Sequence, residues 1–325
     1  MILPAKLSLT IASALLTILA IAQDSTTTLR DLTPAILPTS RLEVPWWAAR
    51  HNAIVEQVRA HRDFNLLLIG DSITQNYEKS SPPDEDFQPT WKQFYEPRHA
   101  LNLGFSGDTT ANVLWRITHG EIDGLRPQAA VVLTGTNNTG HAHQTVEQTE
   151  AGIGNIVGTL TQRLPQTRIL LLGILPSDVS PEKTAADKAI NDYLAKRYGK
   201  KTESSSATTM SIPPKGCHSE RAEEPPHSAC PATDSTANGT TTQPQPKSPE
   251  TDPRVTYLDI SKIFMTTDGS LNTSLFYDPR LPTPGKPLHP DTKGQHMMAE
   301  SIEPTLAKLM YDKPRTPVPI AVSAK

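Results

Sequence analysis

The chain has 325 residues, a formal net charge of −3 and 20% charged residues. A charge balance this close to neutral argues against a nucleic-acid-binding surface or an acidic interaction tail, so no nucleic-acid partner is expected. The length is sufficient for one sizeable globular domain with additional segments.

The first 22 residues have the pattern of a secretory signal peptide. Lys6 precedes the apolar run LSLTIASALLTILAIA, and the run ends in Ala20-Ile21-Ala22, a small-x-small cleavage pattern. An uncleaved membrane anchor is the alternative, but the run is shorter than the ~20 residues that span a bilayer comfortably. We expect an exported protein, secreted or periplasmic, without stable membrane insertion after signal cleavage.

The remaining chain divides by composition. We assign residues 23–44 to an N-terminal extension, residues 45–312 to the globular domain and residues 313–325 to a flexible tail. Within the domain, residues 202–253 are dominated by Ser, Thr, Pro and Glu. Such a segment buries too little apolar surface to offset its ordering entropy, which predicts a disordered insertion.

Both cysteines of the chain, Cys217 and Cys230, lie in this predicted insertion. Export would permit a disulfide between them. A metal clip that uses His218 and His227 is the alternative, but no standard zinc spacing is present.

Outside the insertion, β-rich runs alternate with helical patterns, which is typical of a parallel sheet covered by helices on both faces. The five predicted strands are NLLLIG (65–70), HALNLG (99–104), AAVVLTG (129–135), RILLLGIL (168–175) and VTYLDI (255–260). The principal predicted helices span 48–61, 109–121, 145–164, 185–199 and 292–310. In open parallel sheets a ligand site lies at the carboxyl ends of the strands.

The first predicted strand runs directly into GDSITQN, which places Ser72 at its carboxyl end. A serine nucleophile needs a strand-to-helix turn that exposes its hydroxyl, and a helix N-terminus favours developing negative charge. The alternative is that this stretch only caps the next helix.

The next two strand ends carry NLGFSGDTT and TGTNNTG. Gly107 would let a bare backbone N–H approach a ligand, and Asn137 could offer its side-chain amide, so the pair could form an oxyanion hole beside Ser72. A turn glycine and an Asn-rich turn are the alternatives. Asp108 is predicted to cap the helix that follows.

A histidine lies between Pro287 and Pro290, after the last predicted strand and before the final helix. A loop held by two prolines is a rigid mount, so His289 is the candidate general base. The order of candidate residues along the chain is then Ser, Gly, Asn, His.

This order and its surroundings resemble the SGNH hydrolases, also called the GDSL esterase and lipase family. The matching blocks are LLLIGDSITQ, ALNLGFSGDTTANVLWR, VVLTGTNN and LHPDTKGQ, and the resemblance is greatest to the platelet-activating-factor acetylhydrolase catalytic-subunit branch and its bacterial relatives. It implies a three-layer α/β/α sandwich of flavodoxin-like type and no metal or organic cofactor. It also implies hydrolysis of short acyl esters, such as acetyl groups on lipids or sugars.

The resemblance assigns a role to each matching residue. Ser72 would be the nucleophile and His289 the base, while the Ser72 and Gly107 N–H groups and the Asn137 amide would bind the oxyanion. An exported esterase that acts through an acyl-serine intermediate is the expected function. The alternative is a catalytically weakened or inactive carbohydrate- or lipid-binding member of the same fold.

One position departs from the family pattern and motivates that alternative. The family places an Asp three residues before the histidine, where this chain has Lys286, and a lysine cannot accept the imidazole N–H. Asp278, in LFYDPRLP, is the favoured replacement, as if the segment between Asp and His were lengthened. Asp291 or a backbone carbonyl could serve instead, although Asp291 is expected to cap the final helix.

Two pairs of residues have both a functional and a structural interpretation. His141 and His143 could form a metal pair or line the substrate entrance, but no third ligand is evident, which favours simple loop histidines. Trp46 and Trp47 could stack on a sugar, and packing at the entry to the first helix is the alternative.

Overall fold

Five parallel strands form one sheet in the computed structural model, which describes residues 31–82, 84–199, 252–277 and 286–316. The strands are β1 (Leu66–Gly70), β2 (Ala100–Gly104), β3 (Ala129–Leu133), β4 (Arg168–Leu172) and β5 (Val255–Leu258). Their order across the sheet is β2-β1-β3-β4-β5. This order is that of flavodoxin-like folds, so the predicted fold class is confirmed.

Helices connect the strands and flank the sheet. They are α1 (Pro45–Ala60), α2 (Ser72–Gln75), α3 (Gln88–Phe94), α4 (Thr110–Thr118), α5 (Thr136–Thr139), α6 (Val146–Arg163), α7 (Pro181–Tyr198) and α8 (Thr292–Leu309). Residues 31–36 are also helical. In the part of the chain that the structure describes, none of the helices has the length and hydrophobicity of a membrane-spanning segment.

Alternate residues of each strand enter two separate apolar cores, because successive strand side chains point to opposite faces of a sheet. Leu67 and Ile69 of β1 join one core with α1, α4, α6 and α7. Leu66 and Leu68 join the other core with α3 and α8. The protein is therefore a three-layer α/β/α sandwich in which helices bury both faces of the sheet.

All five predicted strands are present, with ends that differ by up to three residues from the prediction. Helix α7 begins at Pro181, four residues before the predicted start, because the Ser180 hydroxyl accepts the Lys183 N–H at 3.1 Å and proline suits the first helical turn. Helix α3 was not predicted, since seven residues give too short a periodic pattern. The predicted signal peptide and both cysteines lie outside the described residues, as does the predicted insertion apart from residues 252–253.

Candidate active site

The sheet order places the three predicted strand-end residues side by side. Ser72 follows β1, and β1 lies between β2, which leads to Gly107, and β3, which leads to Asn137. The first connection, from β1 into α2, is a sharp turn. A Cβ on Gly70 would lie 2.3 Å from Thr74 Oγ1 and 2.4 Å from the Leu133 carbonyl oxygen, so only glycine permits this turn.

Ser72 is the first residue of α2 and is in contact with the predicted base. Its Oγ lies 2.8 Å from His289 Nε2, which is hydrogen-bond distance. The first N–H groups of a helix have no intrahelical acceptor and carry partial positive charge, so negative charge that develops at Ser72 is stabilised there. The predicted nucleophile and base are thus brought together.

The loop that carries His289 is fixed on both sides by backbone hydrogen bonds. The Tyr277 N–H donates to the His289 carbonyl at 2.8 Å, and the Asp291 N–H donates to the Leu275 carbonyl at 2.8 Å. On the other side, the Asp178 N–H donates to the Pro287 carbonyl at 3.0 Å. These bonds hold the backbone on both sides of His289 against neighbouring loops.

Lys286, which replaces the family's aspartate, has a different role in this loop. Its Nζ donates to the Val179 carbonyl at 2.5 Å and so attaches the histidine loop to the segment before α7. Asp291 caps α8 as predicted, since its Oδ1 accepts the Gly294 N–H at 2.7 Å. Asp278 lies outside the described residues, and its role as the partner of His289 stays a prediction.

The two predicted oxyanion donors are set up by neighbouring backbone. Gly107 has a φ of +79°, a left-handed conformation that favours glycine. Among the described residues, the Gly107 N–H has no protein acceptor. Asn137 is buried, and its Nδ2 donates one hydrogen to the Asp108 carbonyl at 2.9 Å, which leaves the second amide hydrogen for an oxyanion.

The loop before Gly107 is tied to the helix of the nucleophile. The Ser106 N–H donates to Gln75 Oε1 at 2.7 Å, and the Phe105 N–H donates to the Gly70 carbonyl at 3.2 Å. Because Gln75 belongs to α2 and Gly70 ends β1, residues 105–107, which we call the oxyanion loop after their predicted role, and the turn at Ser72 form one hydrogen-bonded unit.

The prediction that Asp108 caps α4 is wrong. Thr109 is the N-cap, in a capping box with Asn112, because the helix begins one residue later than the aspartate requires. The Asp108 carboxylate is fully buried and accepts from Trp47 Nε1 at 2.8 Å and from Arg116 Nε at 2.7 Å. These bonds attach the residue that follows Gly107 to α1 and α4, so Asp108 has a structural role.

Asp108 belongs to a buried network of charges that the sequence interpretation missed. Arg116 Nη1 donates to Glu121 Oε2 at 2.6 Å, Arg116 Nη2 donates to the Gly70 carbonyl at 3.1 Å, and the other Glu121 oxygen lies 2.9 Å from His51 Nδ1. A signal for it exists in NVLWRIT, where an arginine falls on the apolar face of an amphipathic helix. A charged residue in that position needs a buried partner.

A second buried carboxyl lies beside the nucleophile. Asp71 caps α2 by accepting the Ile73 N–H at 3.0 Å through Oδ1, while its Oδ2 is buried without a hydrogen-bond partner among the described residues. Burial raises the pKa of Asp71 to about 6, against the opposing effects of the Ile73 N–H and the charge of His289. The group adjoining Ser72 therefore titrates near neutral pH.

The remaining candidate residues have mainly structural positions. Trp47 is fully buried and packs in the core, whereas Trp46 is 43% exposed. His141 lies in the loop after α5, and burial lowers its pKa, with the positive charges of Arg41 and His143 adding to the effect. Among the described residues, no group of three or more His, Cys, Asp or Glu could hold a metal ion.

Comparisons with known proteins point to one family. Residues 68–218 match the GDSL-like lipase/acylhydrolase family. Platelet-activating factor acetylhydrolase IB subunit alpha1 of Bos taurus is 36% identical over 154 residues, which cover 46% of this chain and 61% of that protein. Subunit alpha2 of Homo sapiens is 32% identical over 169 residues, which cover 51% of this chain and 69% of that protein.

Among solved structures, a candidate acylhydrolase from Bacteroides fragilis NCTC 9343 has a TM-score of 0.50 with 14% identity, covering 84% of this chain and 99% of that one. At this identity the likeness concerns the fold alone. The identity to the alpha2 subunit, extending over more than two thirds of that protein, shows that this chain belongs to the GDSL-like lipase/acylhydrolase family, the SGNH hydrolases, whose members are carboxylic ester hydrolases.

Proposed function

We propose that the protein is an exported serine esterase that removes short acyl groups, principally acetyl, from a carbohydrate or lipid ester. The observation that carries this proposal is the 2.8 Å contact between Ser72 Oγ and His289 Nε2 at the carboxyl end of β1. The nucleophile and the proposed oxyanion donors follow three adjacent strands, and the loop before α8 brings the base to the nucleophile, which is the arrangement that acyl transfer requires.

The reaction proceeds in two halves. His289 Nε2 accepts the Ser72 hydroxyl proton as Oγ attacks the ester carbonyl carbon, and the carbonyl oxygen becomes an oxyanion. The N–H groups of Ser72 and Gly107 and the Asn137 amide donate to that oxyanion, each contributing on the order of 3 kcal/mol in comparable sites. Collapse of the intermediate breaks the ester C–O bond, and the imidazolium returns its proton to the leaving alkoxide.

Water completes the cycle. It attacks the acyl-Ser72 ester while His289 accepts one of its protons, and collapse releases the carboxylic acid and restores the Ser72 hydroxyl. Asp278 orients His289 in this proposal by accepting the second imidazole N–H. The role of Asp278 rests on its place in the sequence, at the start of a lengthened version of the family's Asp-to-His segment.

The preference for short acyl groups rests on similarity. The relatives reported above are named acetylhydrolases, and the chain matches 61% of the alpha1 subunit and 69% of the alpha2 subunit. Export rests on the signal-like residues 1–22. Expression in a bacterial host followed by N-terminal sequencing tests export, and a mature protein that begins at Gln23 in the periplasm or medium is the expected result.

Hydrolysis of p-nitrophenyl acetate tests the reaction itself. The wild type should hydrolyse it, and Ser72→Ala should lose activity by about a thousandfold or more. Ser177→Ala is the matched control, since Ser177 and Ser72 are both 5% exposed and the Ser177 hydroxyl has no hydrogen-bond partner among the described residues. Full activity in Ser72→Ala would show that Ser72 is not the nucleophile.

A panel of esters then tests the substrate class. Acetylated sugars, acetylated lipids and p-nitrophenyl esters of increasing acyl length are compared by kcat/KM. The proposal expects the acetyl esters to be cleaved fastest, with kcat/KM falling as the acyl chain lengthens. Equal or faster cleavage of long-chain esters would contradict the short-acyl preference and leave the serine mechanism standing.

A further inference from the structure

The N-terminal segment, residues 31–44, lies before the part of the chain that matches the family, yet it is bound to the active-site loops. The Ala35 carbonyl accepts from Thr110 Oγ1 at 3.0 Å, and Ala35 is fully buried. The Thr39 N–H donates to the Ala111 carbonyl at 3.1 Å, and the Thr39 carbonyl accepts from Asn112 Nδ2 at 2.9 Å. The segment is therefore attached to the first turn of α4.

The same contacts reach the Asn137 loop. The Thr110 N–H donates to Asn138 Oδ1 at 3.0 Å, and Asn138 Nδ2 donates back to Thr110 Oγ1 at 2.7 Å. Gln144, in the loop after α5, donates to the Pro34 carbonyl at 3.2 Å. Both loops that supply proposed oxyanion donors thus contact residues bound to the N-terminal segment.

Arg41, near the end of this segment, contacts the residues on either side of Gly107. Its Nη1 donates to the Ser106 carbonyl at 2.9 Å and to Asp108 Oδ1 at 3.0 Å. A Cβ on Gly107 would lie 3.2 Å from that same Nη1. The guanidinium therefore lies directly against Gly107, whose N–H is a proposed oxyanion donor.

The bond to Ser106 has a specific consequence for the Gly107 donor. The Ser106 carbonyl and the Gly107 N–H belong to one peptide unit, which is planar and trans, so fixing the oxygen at one end fixes the direction of the N–H at the other. A charged donor on the carbonyl also polarises the peptide and strengthens its N–H as a hydrogen-bond donor.

We propose that Arg41 is a positioning residue for the reaction, and that it orients and polarises the Ser106–Gly107 peptide so that the Gly107 N–H binds the oxyanion. This inference rests on the proposed function of Ser72 and His289. Asp108 holds Arg41 in place without depending on it, because its carboxylate also accepts from Trp47 and Arg116. When Arg41 is removed, Asp108 keeps its ion pair with Arg116, so no buried charge is left unpaired.

The test compares Arg41→Ala with a matched control, Arg254→Ala. The Arg254 side chain is 29% exposed, pairs with Asp252 and donates to the carbonyls of Thr161 and Pro165, so it has the chemistry of Arg41 beside β5. Both variants are assayed on p-nitrophenyl acetate with the enzyme concentration set by fluorophosphonate titration of the reactive serine. Melting temperatures are recorded in parallel.

We expect Arg41→Ala to lower kcat by about tenfold or more with KM within about twofold, because the lost interaction acts mainly in the transition state. Arg41→Lys should retain part of the rate, and added guanidinium ion at millimolar concentration should partly restore Arg41→Ala. Arg254→Ala should keep the wild-type kcat and should not respond to guanidinium.

A wild-type kcat in Arg41→Ala, a change confined to KM, or an equal loss in Arg254→Ala would overturn the positioning role. Failure of guanidinium to restore any activity would also overturn it. Each of these results leaves the serine mechanism intact as long as Ser72→Ala is inactive. An active Ser72→Ala variant would instead remove the proposed function on which the inference rests.

Discussion

Ser72 Oγ and His289 Nε2 lie 2.8 Å apart although 217 positions separate the two residues in the chain. Two local features produce this contact. The tight turn at Gly70 presents Ser72 at the carboxyl end of β1, and the loop between β5 and α8 returns His289 to the same edge of the sheet. The two residues form one catalytic unit in the proposed mechanism. The kinetic effects of substituting Ser72 and His289 should therefore not be additive.

The first prediction concerns the coupling of these two residues. His289→Asn should lower kcat/KM for p-nitrophenyl acetate by about a thousandfold, and adding Ser72→Ala should cost little more, because residues that act as a unit are strongly non-additive. Steady-state kinetics on the two single variants and the double variant measure this. Losses that multiply would mean that serine and histidine act independently.

The second prediction separates strain from catalysis at Gly107. Gly107→Ala and Gly269→Ala both introduce a Cβ at positive φ, +79° and +83°, and each should lower the free energy of unfolding by about 1 kcal/mol. The space around Gly269 is open, whereas the new Cβ of Gly107→Ala lies 3.2 Å from Arg41 Nη1. Only Gly107→Ala should lose activity.

Urea unfolding and ester hydrolysis on the same two preparations give both quantities. The Gly269→Ala variant measures how much a Cβ at positive φ lowers the free energy of unfolding when no neighbouring atom is in contact with it. Wild-type activity in Gly107→Ala would show that the Gly107 N–H does not bind the oxyanion.

The third prediction decides which carboxylate orients His289. Asp278→Asn should lower kcat by at least about tenfold with little change in stability, as expected when the partner of a catalytic histidine is lost. Asp291→Asn should change the free energy of unfolding by less than about 1 kcal/mol, because Asn caps a helix about as well as Asp, and should keep most of the activity. Thermal unfolding and kcat on both variants make the comparison, and the reverse pattern would assign the role to Asp291.

The fourth prediction follows from the raised pKa of Asp71. Because its pKa rises from 3.8 unfolded to about 6 folded, the protonated carboxyl stabilises the fold fully below about pH 4, and that contribution is lost as pH rises through 6. Asp71→Asn mimics the neutral acid at every pH. Its stability relative to the wild type should therefore increase by about 2 kcal/mol between pH 4 and pH 8.

Urea unfolding of both proteins across that pH range tests this expectation. The difference between the two proteins removes the contribution of titrating groups that do not interact with Asp71. If the difference in the free energy of unfolding does not change with pH, burial does not raise the pKa of Asp71.

Much of the fold and of the site was predictable from local sequence. The strands could be recognised because both faces of this sheet are buried, which produces near-continuous apolar runs such as LLLIG. Ser72 and Gly107 could be placed because each lies within three residues of the end of its strand. Once the strands are parallel, their carboxyl ends must meet at one edge.

The residues that were missed act through contacts distant in sequence. Arg41 lies in LPTSRLEVPWW, which has no periodicity that would link it to Gly107, 66 residues later. Asp108 was assigned to a cap because Asp and Thr are both common in that position, and only the start of α4 at Thr110 decides between them. The presence of Lys286 shows from sequence alone that the family's aspartate is absent at this position. Its hydrogen bond to the Val179 carbonyl could not be predicted, because that contact joins two loops that are distant in sequence.

Covalent labelling of the serine tests the central claim most directly. The wild type is treated with a fluorophosphonate probe, digested and mapped by mass spectrometry, with Ser72→Ala and His289→Asn treated in parallel. The account predicts one modified residue, Ser72, no label in Ser72→Ala and labelling slowed by at least about a hundredfold in His289→Asn. An active wild-type enzyme that is labelled at another residue, or not labelled at all, would contradict it.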